Sequence, residues 1–163
     1  MYIENKYWNH YIGDTDDSLT LVEHLAGKQR EEIPLKEILS DFGLDKLHGD
    51  FRNSDIPLMF VNSEGWETEI HYAIDLITDL AALLLECKMS GSVNLCELFG
   101  DELETTAPDV RIIATPEEHG LINKVLMDFV SEPLAYDLSE MCPEEEMSEM
   151  AALCEELRKE LYG

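Results

Sequence analysis

Positive charge is what this chain has least of. Eleven lysines and arginines stand against 36 aspartates and glutamates, which leaves a formal net charge of −25 and a pI near 4.2. Nucleic-acid backbones and anionic membrane surfaces are gripped by clusters of Lys and Arg, so the deficit argues against nucleic acid or membrane as a partner. Cysteine is sparse and scattered: Cys87, Cys96, Cys142 and Cys154 form no CxxC pair, whereas zinc sites draw on closely spaced ligands. Long apolar runs are missing too. The longest, Ile74 to Leu85, is interrupted by Asp75 and Asp79 and falls short of the roughly 20 residues a membrane span needs. The first twenty residues hold no apolar core of a secretory signal. A cytoplasmic protein with reduced thiols is the expectation, and the overall character is bacterial.

Catalytic signatures are absent as well. The chain has no GxSxG, no glycine-rich phosphate loop, no HExxH, and too few basic residues to clamp a phosphate. This removes the positive case for an enzyme without excluding one, because nucleophile and base can converge from distant positions in a fold. No cofactor is expected.

What the chain does have is an ordinary apolar supply, 45%, enough to offset the entropy of ordering despite the charge. With no repeat and no low-complexity linker, residues 1–163 read as one domain. Tyr2, Tyr7, Trp8 and Tyr11 make the N-terminal dozen too aromatic for a free tail. Acids and Ser18 then cap a helix ending near Gly27, and Pro34 opens a short one closed by Gly43. Residues 49–56 read as a loop, Leu58–Val61 as a strand, and 66–70 as its returning partner or a helix turn. From His71 to Lys88 the chain is apolar almost all round, the mark of a buried central helix. Residues 92–98 suggest a short strand and 100–109 a surface loop, with Val110–Ala114 a further strand. Thr115-Pro116-Glu117-Glu118 carries the order of a capping box ahead of a helix to about Val130. Pro143 opens the last helix, where Met147, Met150, Ala151, Cys154, Leu157 and Leu161 form one stripe. The expected fold is α+β and mainly helical: about five helices around a buried central one, with two to four short strands at its side.

Three groups of residues are candidates for chemistry. Glu67, His71, Asp75 and Asp79 follow one another at four-residue intervals, which on a continuous helix stacks them in a stripe. His71, Asp75 and Asp79 are thus candidate metal ligands or an acid/base set for a hydrolase; the plainer reading is the solvent side of the central helix. Asp14, Asp16 and Ser18 imitate the opening of a calcium loop, but Leu19 and Leu25 stand where that loop needs Gly and Glu, so the acids are better read as a helix N-terminus. Cys142 stands at a helix start whose dipole favours thiolate, opposed by Glu144, Glu145 and Glu146. The third group is the crowd of acids in the C-terminal third, with Asp101, Glu102 and Glu104 in the loop and Glu144, Glu145, Glu149 and Glu156 in the last helix. Like charges at helical neighbours cost about 0.2–0.5 kcal/mol a pair, a cost that an opposing basic surface would recover while speeding encounter.

Small size, extreme acidity, a mainly helical pattern and no catalytic motif resemble the immunity proteins of bacterial toxin–immunity systems, which are often acidic and block basic toxins. That resemblance implies a stoichiometric binder of a basic protein; the charge pattern, rather than the resemblance, points to those seven acids as its contact set. The rivals are the metal or hydrolase reading of the His71 stripe and a structural or regulatory subunit whose acidity is incidental.

Overall fold

Aromatic residues pull the N-terminus into the interior. The computed structural model describes residues 1–53, 58–61, 65–103 and 106–163. Helix α1 (Tyr2–Lys6) buries Ile3, and Tyr7 and Trp8 just after it are wholly enclosed. The chain then doubles back at Gly13, where φ is +77° and a Cβ would lie 2.2 Å from the Trp8 ring; only glycine meets both conditions. Thr15 accepts the Ser18 N–H and starts α2 (Asp16–Gly27), which buries Leu21, Val22 and Leu25.

Helix α3 (Leu35–Asp41) follows Pro34 as expected, and Gly43 leaves it with φ +71°. The central helix is α4 (Ala73–Ser90), every residue of which from Ala73 to Glu86 is buried. It packs against α1, α2, α6 (Pro116–Ser131) and α7 (Glu144–Tyr162). The capping box at the start of α6 is complete, with the Thr115 side chain on the Glu118 N–H and the Glu118 side chain on the Thr115 N–H. In α7 all six stripe residues are buried. A fully buried aliphatic side chain contributes about 1.5–3 kcal/mol, so the α4–α7 contact is a principal source of stability.

Among the described residues four strands pair in two small ladders. Strands β2 (Leu58–Val61) and β3 (Glu67–Ile70) form an antiparallel hairpin in which Leu58 faces Ile70; residues 62–64 of its turn lie outside the described residues, as do 54–57 of the preceding loop. Strands β1 (Glu32–Pro34) and β4 (Arg111–Ile113) run parallel, with Ile33 opposite Ile112.

One expectation is corrected. Residues 92–98 are not a strand: Val93 makes one bridge to Val110, and Asn94 accepts the Cys96 N–H to cap a one-turn helix, α5 (Leu95–Phe99). A side chain that satisfies a helix-start N–H competes with a ladder and wins where alternation is weak. The described residues hold seven α-helices, in keeping with the mainly helical α+β fold expected; α1 and α5 are single turns too short to show periodicity. The 100–109 loop opens with a 3-10 turn at Gly100–Glu102, and Leu103 beyond it tucks into the core.

Candidate functional site

Acids from three distant segments meet along one side of the molecule. On α7, Glu145, Glu149, Glu156 and Glu160 fall at spacings of four, seven and four residues, one helical face. The N-terminal segment lies along that face. Tyr2 and Tyr7 both donate their hydroxyls to Glu160, and Tyr11 donates to Glu149. Lys6 completes the Glu160 cluster at 3.2 Å. Burial pushes the Glu160 carboxyl up, but the bonds from Tyr2, Tyr7 and Lys6 outweigh it and hold the group below its ordinary range. The Glu149 bond, with Glu146 and Glu145 nearby, raises the Tyr11 hydroxyl to about 12.

From Tyr11 the chain passes into the segment that carries Asp14 and Asp16, both exposed. Asp14, Asp16 and Glu102 line an open cleft of about 360 Å³ whose apolar wall is Leu19, Leu98 and Phe99. Glu102, Glu144, Glu145, Glu149 and Glu156 are exposed, and among the described residues none of them has an ion pair. Several of the scarce cations are engaged elsewhere. Lys28 and Arg30 hold Glu37, whose carboxyl falls to about 2; Arg52 holds Asp128; Lys88 caps the last carbonyls of α7. Asp101 belongs to the 3-10 turn with Glu102, and Glu104 lies outside the described residues.

The structure separates the His71 group. Helix α4 begins only at Ala73, and Glu67 is in β3, so there is no four-residue stack. Nor is the stripe a solvent face: Asp75 and Asp79 are 4% and 1% exposed. Asp79 accepts the Gly13 N–H at 2.9 Å and the Ser18 hydroxyl at 2.6 Å. His71 pairs instead with Asp17 at 3.1 Å, which also accepts the backbone N–H of His71 and Tyr72. That bond raises the His71 imidazole above its ordinary value. Burial, reinforced by Asp79, Asp17, Asp14 and Asp137, pushes the Asp75 carboxyl well up. Burial likewise lifts Asp79 to about 7, against the opposing Ser18 and Gly13 bonds. Among the described residues no three His, Cys, Asp or Glu side chains are grouped so as to hold a metal ion. The Cys142 thiol is pushed up by burial, then by Glu146, Asp75 and Asp14, the reverse of what a reactive thiolate needs.

Sequence reasoning missed Tyr11 and Asp14 as members of the acidic face. Alternation of tyrosines at 2, 7 and 11 is the only trace of it, and their carboxylate partners lie about 150 residues away in sequence.

A small, mainly helical α+β chain with unpaired carboxylates gathered on one side is of the class of acidic immunity proteins that its composition resembles. The chain matches the family model described as Immunity protein 68 over residues 2–161 and belongs to that family. No curated protein and no solved structure matches it. Among the described residues no helix is long and apolar enough to cross a membrane.

Proposed function

We propose that this protein neutralises a toxin protein by stoichiometric binding, and that the toxin presents a basic surface to the acids the sequence singles out, Asp101, Glu102, Glu104, Glu144, Glu145, Glu149 and Glu156, of which Glu102 and the four on α7 lie exposed. The observation that carries this reading is the convergence of exposed carboxylates without ion pairs from α7, the 14–16 segment and the Glu102 turn, while Lys28, Arg30 and Arg52 are paired with acids elsewhere. Like charges held together at a surface raise its potential, which steers a cationic partner and sets its orientation. Membership of an immunity-protein family supports a protein target, and the charge supports a basic one.

The test is an association series with the toxin captured from native lysate and then purified. A steered complex loses on-rate steeply as salt rises from about 0.01 to 0.15 M, where the screening length shrinks from about 30 to 8 Å. Glu145→Lys with Glu149→Lys should slow association by tenfold or more at low salt. An on-rate indifferent to both salt and charge reversal would leave the reading without support.

A further inference from the structure

Beneath the acidic face lies a group of carboxyls that surface steering does not use. Asp75 and Asp79 sit one turn apart on α4, both buried, at 4% and 1% exposure. Asp79 has two donors, Gly13 N–H and Ser18 O–H, whereas Asp75 accepts no hydrogen bond from any described side chain or amide. The groups that bear on the pair are carboxyls and thiols. Asp14 and Asp17 come from the start of α2, Asp137 from the 3-10 turn Asp137–Glu140, Cys142 from the lead into α7 beside Glu146, and Cys154 from α7 itself. Among the described residues the His71 ring is the basic group paired with Asp17. Two buried carboxylates so placed cannot both ionise without a compensating charge, and no metal-competent grouping exists among the described residues to supply one.

We propose that Asp75 and Asp79 together retain a proton in the free protein, and that docking of a cationic surface on Asp14, Asp16 and Glu146 above them expels it, so that partner affinity rises with pH across neutrality. The chemistry is a simple ionisation: the carboxylic O–H breaks, its electron pair stays on oxygen, and the proton leaves to solvent. The direction follows from field alone. A positive surface lowers the cost of the second negative charge, so the bound state holds fewer protons than the free one, and binding that releases protons strengthens as pH rises. Asp79 also ties the segment carrying Asp14 and Asp16 to α4 through Gly13 and Ser18, which places the store directly under the face it would regulate.

The coupling half rests on the proposed basic partner, and the proton store does not. Two measurements keep them apart. In the first, the ¹³C carboxyl resonances of Asp75 and Asp79 are followed through a pH titration of the full wild-type chain, assigned through bonds so that no variant is needed. A transition near neutrality is expected for the pair, collapsing to a single simple titration in Asp75→Asn. Complete ionisation of both groups below about pH 5, or a stoichiometric divalent metal found by elemental analysis, would overturn the store. In the second, an oligo-arginine peptide is titrated into the protein by calorimetry at pH 7 in two buffers of different ionisation enthalpy. Net proton release is expected from wild type and little from Asp75→Asn. Peptide binding with no proton release would overturn the coupling alone, and failure of the peptide to bind would overturn the cation-attracting face and the coupling with it, leaving the carboxyl titration to decide the store.

Discussion

Helix α4 carries buried acid at both ends, and the two ends differ in their company rather than in their hydrogen bonds. At the C-terminal end Glu86 accepts the Ile3 N–H at 3.0 Å and the Ser90 hydroxyl at 2.5 Å. At the N-terminal end Asp79 accepts the Gly13 N–H and the Ser18 hydroxyl. Each end therefore staples one backbone amide of the N-terminal segment to the core with one amide and one hydroxyl donor. Around Asp79, however, stand Asp75, Asp17 and Asp14. Donors satisfy a buried carboxylate; like-charged neighbours decide whether it remains one.

Substitutions break this comparison in order of size. Gly13→Ala strikes the Asp79 staple hardest, since it combines a left-handed φ with overlap on Trp8; a loss of about 3–5 kcal/mol is expected by urea denaturation. Glu86→Ala removes the acceptor at the other end and leaves the buried Ile3 N–H unsatisfied, a loss of about 2–3 kcal/mol. Unchanged stability in that variant would show that water replaces the carboxylate.

The pH dependence sharpens the contrast. The folded Asp79 pKa is raised, so the native state binds more protons than the unfolded one between about pH 4 and 7, and stability falls as pH climbs through that window. The raised His71 contributes in the same sense, because its support is complete below about 6.5, its ordinary value, and is lost as pH passes its higher folded value. The carboxyls held low, among them Glu37, Asp128 and Glu155, act oppositely but only below their unfolded range near 4, so they add no slope between pH 5 and 7. Urea midpoints are thus expected to decline from pH 5 to 8 in wild type and to decline less steeply in Asp79→Asn; equal slopes in the two would locate the titration elsewhere. The smallest effect is expected from Ser18→Ala, about 1–2 kcal/mol for a buried hydroxyl–carboxyl bond, provided the measurement is made at pH 8, where the carboxyl is charged.

The parts of the fold legible in the sequence are those set by local rules. The apolar run of α4, the stripe of α7 and the Thr115–Glu118 capping box are each written within one element, and the structure has all three. The parts that were not legible depend on partners far along the chain. Nothing near Glu32–Pro34 signals a strand, because its ladder is supplied by Arg111–Ile113. Asp75 and Asp79 look like a wet face until Gly13 and Ser18 close over them. In the same way the acids of α7 were visible as a set, but their alignment with Asp14 and Glu102 required the fold-back of residues 1–12.

The parallel pairing of β1 with β4 sets the order of assembly. Strands that run the same way cannot be zipped by a turn, and these two are separated by α3, the β2–β3 hairpin and the whole of α4. Their ladder closes only after the intervening helices have collapsed, since loop closure comes ahead of any reward from the contact. The amides of Ile33 and Ile112 should accordingly gain protection late in refolding, after those of α4 and α7, with the β2–β3 hairpin acquiring its own protection independently of them.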